Sequence, residues 1–128
     1  RVTTFEGCPA VAEMARFNWA KLGLKNIECV VGNIDDTLQT HLTEQVDVAF
    51  IDANHTKEAT LQYFNILLQH TGKKSVIIID DIHYSREMGQ AWKEICNHAN
   101  VTCTMDLQKM GIVFLDPDYL HKHYKLRL

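Results

Sequence analysis

The chain has 128 residues, 46% hydrophobic and 23% charged, a composition typical of one globular domain. Its formal net charge of −3 and its scattered lysines and arginines argue against nucleic acid as a partner. No apolar run approaches the roughly 20 residues that span a bilayer, so we expect no membrane partner and a cytoplasmic location. The four cysteines contain no CxxC pair, which favours reduced, structural thiols.

Strand-like apolar runs alternate with segments of helical spacing along the chain. Strands are predicted at Val2 to Phe5, Ile27 to Val31, Val46 to Ile51, Ser75 to Ile79, Val101 to Leu107 and Gly111 to Leu115. Helices are predicted from Pro9 to Gly23, around Asp36 to Leu42, after a cap at Thr56 and after a cap at Ser85. No repeat or linker-like run interrupts this pattern, so the sequence predicts a single domain over residues 1–128.

Three of the predicted helices carry apolar residues at helical spacing, which indicates one apolar face on each. These residues are Val11, Met14, Ala15, Trp19 and Leu22 in the first helix, Ala59, Tyr63, Ile66 and Leu67 in the third, and Met88, Ala91, Trp92 and Ile95 in the fourth.

The order of the elements predicts an α/β fold. Four β-branched residues in a row, Val76 to Ile79, are typical of a parallel strand that is covered on both faces. The last two strands are joined only by Gln108-Lys109-Met110, a connection that permits only an antiparallel hairpin. Alternating βα units closed by such a pair predict a doubly wound sheet with a mixed edge.

Acidic residues follow three of the predicted strands, at the edge where open α/β sheets bind ligands. Glu6 follows the first strand, Asp52 the third, and Asp80-Asp81 the fourth. Glu6 has two interpretations. It is either an anion that favours the positive end of the helix at Pro9, or a carboxylate whose two oxygens accept both hydroxyls of a ribose.

Asp52, Asp80 and Asp81 are expected to lie on neighbouring strand ends, where their carboxylates repel each other unless a cation lies among them. Hard oxygen ligands suit Mg²⁺, with Mn²⁺ or Ca²⁺ as alternatives, better than zinc. The other interpretation is that one of these aspartates caps the following helix, although Ser85 is better placed for that role.

Two histidines lie close to these aspartates in the sequence. His55 comes three residues after Asp52, and His83 comes two residues after Asp81. An imidazole can accept the proton of a hydroxyl group that a metal has made more acidic. The sequence therefore offers a general base at this edge, whereas no role is predicted for His121 and His123.

Four of these segments, in this order, resemble class I methyltransferases that use S-adenosylmethionine (SAM). Thr4 to Pro9 resembles the acidic strand end that holds the ribose of the cofactor, and Gly32 to Asp35 resembles the turn that contacts adenine. Phe50 to His55 and Ile79 to His83 resemble the two acidic motifs of metal-dependent O-methyltransferases of the catechol, caffeoyl-coenzyme A and macrocin types.

The resemblance implies a Rossmann-like methyltransferase sheet and methyl transfer from SAM to a hydroxyl of a small-molecule acceptor, assisted by a divalent metal. The residues that it implies are Glu6, Gly7, Gly32, Asn33, Ile34 and Asp52 for the cofactor, Asp52, Asp80 and Asp81 for the metal, and His55 as the base. Several members of the family have a lysine at the position of His55.

The family also has a first strand and a glycine-rich loop that cradles the methionine end of the cofactor, and neither occurs in these 128 residues. The resemblance thus implies a partial domain, truncated at the N-terminus, that lacks the strand between Val2 to Phe5 and Val46 to Ile51. Because two buried-type edges would then be unpaired, we expect weak or no cofactor binding by this chain, and strand exchange or a homodimer that covers the gap.

Three alternatives compete with this interpretation. A metal-dependent hydrolase could use the same aspartates and histidines to activate water, but the sequence has no loop to cradle a phosphate. A response-regulator receiver is suggested by Ile78 to Asp81, but its acidic pair belongs at the start of a domain. A non-catalytic fragment or interaction module would bind neither metal nor cofactor.

Overall fold

The computed structural model of the protein describes residues 1–127. Within them the chain forms two compact units, Arg1–Thr43 and a second unit that begins at Glu44.

The first unit is a βαβα segment. Its elements are β1 (Val2–Glu6), α1 (Pro9–Lys21), β2 (Ile27–Val31) and α2 (Ile34–His41). β1 and β2 pair in parallel, with Val2 opposite Ile27. Helix α1 starts at Pro9, and the missing N–H of proline has no cost there because the first turn of a helix leaves that N–H unbonded. After the helix, Gly23 adopts the left-handed conformation with a φ of 69°.

Two features of this unit differ from the prediction. Helix α2 starts at Ile34 rather than Asp36, because the Asn33 side chain accepts the N–H of Asp35 and caps the helix there. On α1, the predicted apolar face is largely exposed: the exposed fractions are 67% for Met14 and 73% for Leu22, and the only buried residue of α1 is Ala12.

The second unit is a five-stranded mixed sheet with two helices. Its elements are β3 (Val46–Ile51), α3 (Lys57–Leu68), β4 (Thr71–Ile79), α4 (Arg86–Cys96), β5 (Cys103–Asp106), β6 (Gly111–Phe114) and β7 (Lys122–Lys125). The strand order is β3-β4-β6-β5-β7. β3 pairs with β4 in parallel, and β5 and β6 form the predicted antiparallel hairpin. The sequence pattern did not reveal β7, a polar strand that pairs in parallel with β5.

The core of this unit lies on one face of its sheet. Ile77 and Val113, opposite each other on β4 and β6, are both fully buried. Every residue predicted for the apolar faces of α3 and α4 is buried, and the caps of these helices are Thr56 and Ser85, as predicted. Helix α4 covers this face of the sheet, because its Trp92 lies against Gly111 of β6.

Gly111 is expected to tolerate no side chain. A Cβ at this position would lie 2.5 Å from the ring of Trp92, which is itself buried and cannot swing away. We expect Gly111→Ala to lower the free energy of unfolding by about 1–3 kcal/mol, measured by urea denaturation. The control is Gly89→Ala in α4, where nothing lies within 4 Å of the added Cβ. That control should raise stability by up to about 1 kcal/mol, and an equal loss in both variants would contradict this account.

Candidate functional site

The acid at the end of β1 is tied to the local backbone. Glu6 Oε1 accepts the N–H of Cys8 at 2.9 Å, at the start of α1, where the helix dipole favours a negative charge. The Glu6 carbonyl accepts the N–H of Gly32 at 3.1 Å, which holds the turn after β2 beside the end of β1. Gly7 faces the same turn, because a Cβ on it would lie 4.0 Å from the Gly32 oxygen. Glu6, Gly7 and Gly32 therefore form one local cluster.

The turn Gly32-Asn33-Ile34 has a backbone that only glycine adopts easily. Gly32 has a φ of 148°, and a Cβ on it would lie 2.9 Å from Thr37 Cγ2. Asn33 has a structural role, since its Oδ1 accepts the Asp35 N–H and its carbonyl accepts the Thr37 hydroxyl. Ile34 is the first residue of α2. The turn thus brings Gly32 and its neighbours close to Glu6.

In the second unit, an imidazole lies between two carboxylates. His55 Nε2 lies 3.6 Å from Asp52 Oδ1 and 3.6 Å from Asp81 Oδ2, so a protonated His55 would form an ion pair with both. This nitrogen is buried, yet it has no hydrogen-bond partner within residues 1–127. The ring of Tyr84 lies 5.7 Å from the His55 ring, between centroids. The two carboxylates are therefore the only acidic groups within 4.0 Å of this nitrogen among the described residues.

Asp81 has a strained backbone. Its φ of 50° is one of only two positive values among the described non-glycine residues, and the left-handed conformation costs an aspartate roughly 1–3 kcal/mol. The conformation is held by the hydrogen bond from the Tyr84 N–H to the Asp81 carbonyl, at 2.9 Å. Strain of this kind clusters at functional sites, because only the surrounding structure keeps it in place.

The predicted metal ligands are only partly brought together. Carboxylate oxygens are donors that a hard divalent cation prefers, but the point on which Asp52 and Asp81 converge is occupied by His55 Nε2. Asp80 does not join them: its side chain forms no ion pair with His55 within 4.0 Å, and its backbone N–H donates to the Ile51 carbonyl. As they stand, no three His, Cys, Asp or Glu side chains of residues 1–127 form a group that could hold a metal ion.

A second carboxylate–histidine pair is formed by His83, which lies two residues after Asp81 in the same loop. His83 Nε2 donates to Asp106 Oδ2 at 2.8 Å, and the Gln108 N–H donates to Asp106 Oδ1 at 3.0 Å. Burial raises the pKa of the Asp106 carboxyl, but these hydrogen bonds and the charges of His83 and Lys125 together hold the pKa below its ordinary value. Asp106 was not predicted from the sequence as a site residue. Asp106 lies at the end of an apolar run, as the other strand-end acids do. The strand was predicted to continue to Leu107, so Asp106 was not recognised as the residue that ends it.

The four cysteines are free thiols, with Cys8 exposed and Cys103 buried, and burial raises the pKa of the Cys103 thiol. No helix within residues 1–127 is long and apolar enough to cross a membrane.

Comparison with known proteins decides the family. A family model described as "Methyltransferase domain" matches residues 1–82. The chain belongs to this methyltransferase family. The matched part of the methyltransferase domain contains the acids at the ends of β1, β3 and β4 together with His55, whereas His83 and Asp106 lie beyond it. A search of curated proteins gave no match.

Solved structures of methyltransferases share the fold. An O-methyltransferase from Bacillus cereus in complex with SAH is 24% identical, with a TM-score of 0.76, over 89% of this chain and 62% of that one. TomG, an O-methyltransferase from Streptomyces achromogenes in complex with SAM, is 20% identical, with a TM-score of 0.74, over 91% and 62%. The SAH-bound methyltransferase PaMTH1 from Podospora anserina is 15% identical, with a TM-score of 0.75, over 89% and 60%.

These similarities confirm the predicted Rossmann-like methyltransferase fold. This methyltransferase domain spans about three-fifths of the length of each of the three proteins: 62%, 62% and 60%.

Proposed function

We propose that the protein takes part in SAM-dependent methyl transfer to a hydroxyl group of a small molecule, with His55 as the proton acceptor. The observation that carries this proposal is the placement of His55 Nε2, which is buried and lies 3.6 Å from the carboxylates of Asp52 and Asp81. A base in this setting can take the proton of the acceptor hydroxyl, and the two carboxylates stabilise the imidazolium that results.

The proposed cofactor contacts are Glu6, Gly7, Gly32, Asn33, Ile34 and Asp52. The cluster of Glu6, Gly7 and Gly32 supports the first part of this set. The two glycines have no side chains, so a ribose and an adenine can come close to the backbone beside the Glu6 carboxylate. Glu6 keeps its Oε2 for a ribose hydroxyl, because only Oε1 takes part in the hydrogen bond with Cys8.

The proposal also includes assistance by a divalent metal ion. Asp52 and Asp81, with Asp80 beside them in the chain, would hold a divalent cation such as Mg²⁺, with Mn²⁺ or Ca²⁺ as alternatives. When bound, the cation would lower the pKa of the acceptor hydroxyl. His55 would accept the proton of that hydroxyl, and its ion pairs with Asp52 and Asp81 would hold the protonated ring in place.

We also propose that the reaction takes place in the cytoplasm, which the four free thiols support.

For the partner, we propose a second copy of the chain that pairs along the free edge of β3.

The cofactor part is tested by calorimetric titration of SAM and SAH, with and without Mg²⁺. Two proteins are compared: the 128-residue chain, and a version extended before Arg1 by a strand and a glycine-rich loop of the kind that the family has. We expect weak or no binding by the chain and clear binding by the extended version, lost in Glu6→Ala and kept in the control Glu13→Ala on the exposed side of α1. Absence of binding by both versions would favour the metal hydrolase or a non-catalytic module.

A further inference from the structure

The loop after β4 is anchored through Ile82 and His83 to the end of β5 and the turn that follows it. Residues 80–85 carry Asp81 and Tyr84, which flank His55, and also His83, which points to a different partner. The Ile82 N–H donates to the Lys109 carbonyl at 2.9 Å, and Ile82 is fully buried. This loop is therefore tied to the turn between β5 and β6 by a backbone hydrogen bond and by the His83–Asp106 pair.

The anchor itself is a buried carboxylate with a defined set of donors. Asp106 is 8% exposed, at the end of β5, and it is bonded by His83 and by the Gln108 N–H. Gln108 supplies that N–H from a strained backbone with a φ of 72°, the second positive value among the described non-glycine residues. The Lys125 ammonium is more distant, at 3.9 Å.

Stability alone does not explain such a pair. His83 is exposed at 41% of its side chain, and partly exposed ion pairs contribute little to stability, whereas the pair does restrict which geometry the loop can adopt. The loop that it restricts contains Asp81, whose own φ of 50° persists only if its surroundings hold it.

We propose that Asp106 is a positioning residue for the candidate active site: through His83 it fixes the loop 80–85, so that Asp81 stays beside His55. This inference rests on the proposed function for its meaning, but the geometry that it describes is measurable without cofactor or acceptor. Asp106 itself forms no hydrogen bond with His55 or Asp81 within the described residues.

The test uses imidazole and backbone NMR spectra of the full 128-residue chain. His83→Leu removes the donor to Asp106, and His83 is exposed enough, at 41% of its side chain, that the substitution should not prevent folding. We expect loss of the protected Nε2–H resonance of His83 and shifts of the His55 ring and the Asp81 amide. His83→Gln, whose side-chain amide can still donate, should restore most of the native spectrum, and Asp106→Asn should reproduce part of the change.

Lys125→Met is the matched control, because it removes only the distant charge and leaves the His83 hydrogen bond intact. Its His55 and Asp81 resonances should stay in place. The proposal is overturned if folded His83→Leu keeps the native resonances of His55 and Asp81, or if His83→Gln perturbs them as strongly as His83→Leu. Failure of SAM binding in the calorimetric experiment would leave this result unaffected, so the two proposals fail separately.

Discussion

His55→Gln is expected to lower the kcat of methyl transfer by about 10²- to 10⁴-fold, while the KM for SAM changes little. Gln keeps hydrogen-bonding groups near Asp52 and Asp81 but cannot accept a proton at neutral pH. The measurement is SAH release by the version extended before Arg1, with a panel of aromatic and sugar alcohols as acceptors.

The matched control for this prediction is His121→Gln. His121 is exposed and forms no hydrogen bond or ion pair within the described residues, so its loss should leave kcat unchanged. Equal activity of His55→Gln and the unsubstituted protein would remove His55 from the proposed mechanism. A loss of SAM affinity equal to the loss of kcat would instead assign His55 to cofactor binding.

The second prediction is self-association of the chain through the unpaired edge of β3. This strand pairs with β4 on one side only, and among residues 1–127 no strand pairs with its other edge. Val48 and Phe50 are 65% and 56% exposed on the sheet face opposite the buried Ala49 and Ile51. An apolar strand with an unpaired edge is a template for another strand. We therefore expect the chain to associate with itself.

Antiparallel pairing of two β3 strands about a twofold axis suits this sequence. With the axis at Ala49, Val48 lies opposite Phe50 of the second copy and Asp47 lies opposite Ile51, so the two aspartates do not face each other. Burial of one phenylalanine side chain contributes about 1.5–3 kcal/mol, which corresponds to a tenfold or larger change in Kd.

Light scattering coupled to size-exclusion chromatography measures this association. The mass of the unsubstituted chain should rise with concentration, and Phe50→Lys should raise the Kd at least tenfold. Leu120→Lys is the control, because Leu120 is 80% exposed but lies outside the strands. A monomer at every concentration, or an equal effect of both substitutions, would disprove pairing through β3.

Local sequence patterns were enough to predict most secondary structure. The apolar faces of α3 and α4 and the caps at Thr56 and Ser85 occur as predicted, because helical periodicity and capping depend on residues a few positions apart. The hairpin of β5 and β6 follows in the same way from the three residues that join them. The acids at strand ends, and with them the methyltransferase family, were also visible in the sequence.

Tertiary structure alone decided the features that depend on distant contacts. β7 has no strand-like alternation of its own and forms because β5 offers it an edge, and the pairing of His83 with Asp106 joins residues 23 positions apart. The place of His55 between Asp52 and Asp81 depends on the pairing of β3 with β4, which brings the two loops together, and Asp81 has a left-handed backbone there. No local pattern encodes such a conformation for an aspartate, because it is stable only when the surrounding contacts hold it.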